Sequence, residues 1–134
     1  MADDLLLTEG GDPDKLGRGS LWHSELPLCI HQNHVFRVRL TEPRIDPVYL
    51  SWLISSQRGK TYFLRSAKQT TGIASINMTQ LRAFPMLIPP IELQRRFAAI
   101  VESVEQQKSR QREHLAELDT LFASLQHRAF NGEL

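Results

Sequence analysis

Four side chains able to ligate a metal or form strong hydrogen bonds fall close together in the chain: His23, Cys29, His31 and His34. Cys29, His31 and His34 make a C-x-H-x-x-H cluster, with donors that suit a borderline-soft metal ion. Zinc sites usually draw on two well-spaced ligand pairs, and only one compact group stands here. No metal is therefore expected. The stretch His31-Gln32-Asn33-His34 reads better as a run of hydrogen-bonding side chains leading into a strand. Amides of this kind can match base edges, and neighbouring groups can contact phosphates. For Asn33 and His34, an internal role in shaping a loop fits equally well.

Two further polar stretches offer similar chemistry. Lys68-Gln69-Thr70-Thr71-Gly72 contains no apolar residue, reads as an exposed loop, and continues through Ile73 and Ala74 to Ser75. The segment from Gly10 to Ser20 carries four glycines, Lys15 and Arg18, and its polarity argues against a packed element. Gly-rich phosphate motifs, a serine nucleophile elbow and an HExxH pair are all absent from the sequence. Neither catalysis nor a cofactor is expected.

Charge is distributed unevenly. The 134 residues carry 16 Lys plus Arg against 15 Asp plus Glu, for a net charge of +1. Between Asp46 and Glu92 there is no acid, while Arg58, Lys60, Arg65, Lys68 and Arg82 all lie there. Five cations without an anion make a candidate polyanion surface, with a solvated basic face as the alternative. The single cysteine rules out an intramolecular disulfide and suits a reducing compartment. No apolar run approaches the roughly 18 residues of a membrane span, and the start, Met1-Ala2-Asp3-Asp4, is acidic where a signal peptide would be basic. A cytoplasmic protein is expected.

Positioning these groups requires a mixed domain. Leu5-Leu6-Leu7-Thr8 predicts a short buried strand ended by Glu9-Gly10-Gly11. The period of two across Val35–Leu40 predicts a half-buried strand. Asp46-Pro47 supplies an N-cap and an N1 proline for a helix through Val48–Ile54, with a stop expected near Gly59. Thr61–Ala67 suits a second helical stretch. Asn77 or Thr79 suits the cap of a short helix through Leu81, and Met86-Leu87-Ile88 suits a final strand.

From Ile91 onward the pattern changes. Neither Pro nor Gly recurs until Gly132. Phe97, Val101, Val104, Lys108, Gln111, Leu115, Leu118, Phe122, Leu125 and Ala129 alternate spacings of four and three residues. Eight of these ten are apolar, which is the pattern of a coiled-coil seam. Such a helix would extend about 58 Å, too far to bury its seam against a domain of 90 residues. A second long helix in trans is the physical consequence, as a homodimer or with another chain. A helix folded back on itself, with a break near Lys108–Gln111, is the alternative.

Several strings together resemble one family. Leu5–Gly11 (LLLTEGG), Gly11–Gly17 (GDPDKLG), Cys29–Arg39 (CIHQNHVFRVR), Thr70–Leu81 (TTGIASINMTQL), Phe84–Gln94 (FPMLIPPIELQ) and Arg128–Leu134 (RAFNGEL) resemble the specificity (S) subunit of type I restriction–modification systems. The resemblance implies two target-recognition domains in a full subunit, each reading half of a split DNA site. It also implies two long helices packed antiparallel as a spacer. An S subunit is implied to be non-catalytic, recruiting modification subunits that methylate adenine and restriction subunits that cleave DNA.

A full S subunit is several times longer, so the expectation is the later part of one recognition domain with its helix. The expected fold class is α+β. Residues 1–90 would be the partial recognition domain, 91–130 the coiled-coil helix and 131–134 a tail. Lys15, Arg18, Arg65 and Lys68 are the candidate phosphate contacts. Gln32, Asn33, His34, Gln69, Thr70, Thr71 and Ser75 are the candidates for base edges. Phe97, Val101, Val104, Leu115, Leu118, Phe122 and Leu125 are the candidate seam. A different class remains open beside this one, a helical assembly module that pairs through its seam without reading DNA.

Overall fold

The computed structural model describes residues 3–27, 29–30, 33–70 and 72–133. In chain order these form β1 (Asp4–Thr8), β2 (Gly10–Gly11), a 3-10 turn (Pro13–Lys15), β3 (Gly19–Trp22) and β4 (Val35–Val38). There follow α1 (Pro47–Ser55), α2 (Gln57–Ser66), β5 (Lys68–Thr70), β6 (Ile73–Ser75), α3 (Met78–Arg82) and α4 (Ile91–Phe130). The class is α+β. The chain divides into two compact units, Met1–Ala98 and Ala99–Leu134.

In the first unit, β1 is the central strand of an antiparallel sheet ordered β3-β1-β4. Leu5 and Leu7 point from it into the core, as the strand period of two demands, and join Leu16, Leu50, Ile54, Phe63 and Ile76. Phe63 is fully buried and stacks on Phe84 at 5.3 Å between ring centroids. At the start of β1, Asp4 is almost fully buried and forms a two-pronged ion pair with Arg39: Nε–Oδ1 is 2.7 Å and the second contact 2.6 Å. Those charge-assisted bonds hold the Asp4 carboxyl below its usual range, against the opposing effect of burial. A second antiparallel sheet has the order β2-β6-β5.

Several elements differ from expectation. Helix α1 stops at Ser56, not near Gly59, because the Ser56 side chain caps the next helix by accepting the Gly59 N–H at 3.3 Å. Gly59 thus lies inside α2. A Cβ on Gly59 would stand 1.9 Å from the Ile54 carbonyl oxygen, so the tight α1–α2 junction requires a residue without a side chain. The segment Gly10–Ser20 contains β2, the 3-10 turn and the first residues of β3, and it buries Leu16. Its glycines permit close backbone approach where composition suggested an open loop. Lys68–Thr70 is a strand of a hairpin, paired with Ile73–Ser75. It is short and polar because only its partner strand sends Ala74 into the core. Met86–Ile88, expected as a final strand, has no assigned secondary structure. Between the two candidate caps of α3 the structure selects Asn77, which forms a reciprocal capping box with Gln80.

Helix α4 begins at Ile91, directly after Pro90, whose carbonyl accepts the Leu93 and Gln94 N–H groups. Its first two turns belong to the first unit. Gln94 is fully buried there: it accepts the Asp46 N–H at 2.9 Å and donates to the Arg44 carbonyl at 3.0 Å and the Pro89 carbonyl at 2.7 Å. Phe97 meets Tyr49 and Trp52 edge-on, with centroids 6.1 and 6.2 Å apart.

The second unit is the remainder of α4. The helix runs unbroken through Lys108–Gln111, where a folded-back arrangement would need an interruption. Val104, Leu115, Leu118, Phe122 and Leu125 are exposed along it. A long helix with an exposed apolar heptad fits a coiled coil. No helix among the described residues is long and apolar enough to cross a membrane.

Candidate nucleic-acid interface

Three candidate segments that are far apart in sequence meet at the end of β1. Thr8 is the hinge of the arrangement. Its N–H donates to the Arg18 carbonyl at 3.0 Å, and its hydroxyl donates to the carbonyls of Arg18 (3.2 Å) and Lys15 (3.4 Å). The loop bearing Lys15 and Arg18 is thereby tied to one side of β1. On the other side, Thr8 pairs with Val35 across the β1–β4 ladder.

Glu9 continues the convergence. Its N–H donates to the His34 carbonyl at 2.9 Å, and its carbonyl accepts the Ile76 N–H at 2.9 Å. Gly10 and Gly11 then pair with Ser75 and Ala74 of β6. A Cβ on Gly10 would lie 3.0 Å from the Ala74 carbonyl oxygen and 3.1 Å from the Ser75 Cβ, so glycine permits the two strands to close. Ser75 faces Lys68 across the β5–β6 ladder. Eight consecutive residues, Asp4–Gly11, therefore form a central strand in one sheet and an edge in the other.

The individual side chains are in different states. Arg18 and Lys68 are exposed and, like Arg65, form no ion pair among the described residues. Lys15 forms a short contact with Asp12, and that hydrogen bond raises its pKa. His34 has a left-handed backbone (φ 72°), and its Nδ1 lies 3.1 Å from a Glu9 carboxylate oxygen. Asn33 is exposed in the turn just before it. The Gln69 amide donates to the Leu64 carbonyl at 3.1 Å, and the Thr70 hydroxyl donates to the Ile73 carbonyl at 3.5 Å. Gln69 and Thr70 thus have internal partners as well as exposed surface. Gln32 and Thr71 lie outside the described residues, as does His31 of the cysteine–histidine cluster. His23 and His34 approach different carboxylates, those of Asp3 and Glu9.

Arg65 lies on α2 and makes no hydrogen bond or ion pair with Thr8–Gly11 among the described residues. It lines a shallow groove along α2 together with Gln57, Arg58, Thr61, Tyr62 and Pro85. Arg58 and Arg82 figured in the sequence only within the candidate polyanion interval, and Arg37 in no candidate set; Arg37 and Arg82 rim an apolar cleft between β4 and α3. The signal for Arg58 and Arg82 was present in the acid-free interval. That for Arg37 was not, because Arg37 lies outside that interval, in the alternating run that becomes β4.

No family model matches the chain. Two curated proteins are similar to it. One, from Methanocaldococcus jannaschii and named as the MjaX specificity subunit of a type I restriction enzyme, is 26% identical over 102 residues, 76% of this chain and 24% of that protein. The other is the type I restriction enzyme StySPI specificity subunit of Salmonella potsdam, 27% identical over 139 residues, 98% of this chain and 29% of the relative. The chain resembles type I specificity subunits. It spans about a quarter of the length of these two relatives. The likeness to the StySPI specificity subunit extends over both units, so it covers the β1 end and the heptad helix alike.

Proposed function

We propose that this chain is a non-catalytic DNA-recognition module of a type I restriction–modification complex. In this reading, the β1 end contacts duplex DNA and α4 pairs with a second long helix. The observation that carries it is the convergence of the Lys15–Arg18, Asn33–His34 and Lys68–Ser75 segments on Thr8–Gly11. Lys15, Arg18, Arg65 and Lys68 neutralise phosphates, while Asn33, His34, Gln69, Thr70 and Ser75 offer groups to base edges. Gln32 and Thr71 belong to the same two stretches. The names of the similar proteins support a specificity role, and the recruitment of modification and restriction subunits is part of the proposal. Residues 1–90 serve recognition and residues 91–130 serve pairing.

A second reading is supported by the exposed seam alone. The chain would then be an assembly module that pairs through Leu115, Leu118, Phe122 and Leu125 without reading DNA. Co-purification with a modification subunit, followed by DNA binding across salt concentrations, separates the two. Recognition predicts both association and binding that weakens as salt rises. Association with no DNA binding would favour the assembly module.

A further inference from the structure

The exposed face of α2 presents an unneutralised pair of guanidinium groups. At 100° per residue, Gln57, Thr61, Arg65, Arg58 and Tyr62 occupy one continuous arc of the helix, while Gly59 and Phe63 are buried on the opposite side. Arg58 and Arg65 are two turns apart, about 10.5 Å along the axis. Both are exposed, both line the same groove, and neither forms an ion pair among the described residues. The groove contains no carboxylate, and no acid occurs anywhere between Asp46 and Glu92. Its floor is held in place: the Tyr62 hydroxyl donates to the Gln80 carbonyl at 2.8 Å, and its ring packs edge-on against Phe63 and Phe84. Two like charges in one groove without a counter-ion create a field that an anion relieves. Planar guanidinium forks suit phosphate oxygens in particular.

The geometry points to the α2 groove as a second phosphate-binding surface, in which Arg58 and Arg65 grip the backbone of duplex DNA while the β1 end supplies the base-edge groups. This rests on the DNA-recognition reading and adds to it an anchor, Arg58, outside the β1 constellation. Because the contacts are to phosphates, they contribute on any duplex, whatever its sequence.

The test is the salt dependence of binding of the full chain to a labelled mixed-sequence duplex. Removing two phosphate contacts with Arg58→Ala and Arg65→Ala together should make the slope of log Kobs against log salt shallower by about 1.8. The paired Arg→Lys variant should recover most of that loss. Circular dichroism should be unchanged, since both side chains are exposed. A slope in the Ala pair equal to that of a wild-type chain that does bind would overturn the groove, Arg65 included, and leave recognition by the β1 end standing. No binding by the wild type at low salt would overturn both. Inorganic phosphate at matched ionic strength should compete no better than chloride. Extra competition that vanishes in the Ala pair would mark a site for free phosphate and overturn the assignment to DNA.

Discussion

The Gln94 side chain accepts the backbone N–H of Asp46 at 2.9 Å, across a separation of 48 residues. The same amide donates to the carbonyls of Arg44 and Pro89. One buried side chain in the first turn of α4 thus joins the segment entering α1, at Arg44 and the N-cap Asp46, to Pro89, two residues before α4. Gln suits this place because it has both a carbonyl acceptor and two donors. Pro90 directly precedes the helix, and Gln94 fixes where it starts.

Replacing Gln94 with Leu should therefore destabilise the first unit by about 2–4 kcal/mol, since several backbone groups would lose their partner. Gln94→Glu should also destabilise, because a carboxylate can still accept from Asp46 but cannot donate to two carbonyls. Chemical denaturation measures both. Stability equal to wild type in the Leu variant would mean that the three hydrogen bonds carry no net weight.

Gly59 offers a steric counterpart. Gly59→Ala places a methyl group against the Ile54 carbonyl and should cost about 1–3 kcal/mol through forced backbone movement. Helix propensity alone predicts a gain from the same change, since Ala is favoured over Gly. The sign of the measured change in unfolding free energy decides between the two effects.

Acid sensitivity should trace to Asp4. Its folded pKa lies below the unfolded value of about 3.8, chiefly because Arg39 hydrogen-bonds the carboxylate. Stability from this pair is complete above that value and is lost as pH falls through it towards the lower folded pKa. Asp4→Asn should flatten the loss of stability below about pH 4. Thermal unfolding as a function of pH provides the measurement, and an unaltered acid limb in the variant would remove Asp4 as its source. Asp12 and Glu42 are also held low, by Lys15 and Arg44, but those pairs are solvent-exposed and screened.

On the second unit, Leu118→Asp with Phe122→Asp should abolish association through the seam, because two buried charges would face an apolar partner helix. Light scattering on the chain alone and with a candidate partner reads the outcome. An assembly whose mass is unchanged by both substitutions would contradict a coiled coil.

The parts of this molecule with strong periodicity were legible in its sequence. Alternation in Val35–Val38, the Asp46-Pro47 cap of α1 and the heptads of α4 all reflect local rules that tertiary packing reinforces. What escaped was decided by contacts at long range. Nothing within Lys68–Thr70 announces a strand, because its pairing is with β6, whose own place is set by Gly10 and Gly11. Ser56 outweighed Gly59 as punctuation because its side chain both receives from Gly59 and donates to the Leu53 carbonyl at 2.6 Å. The separate polar stretches were visible one by one. Their meeting at Thr8 and Glu9 was not, since it depends on two consecutive strands, β1 and β2, joining different sheets.

If this meeting point contacts DNA, duplex binding across salt concentrations should respond to removal of its exposed cations. Arg18→Gln with Lys68→Gln alters two exposed cations that form no ion pair among the described residues, so the fold should persist. Wild-type affinity should fall as salt rises, and the paired variant should lower the slope by about 0.9 for each cation removed. Binding that is indifferent to salt, or a slope unchanged by both substitutions, would contradict DNA contact at the meeting point.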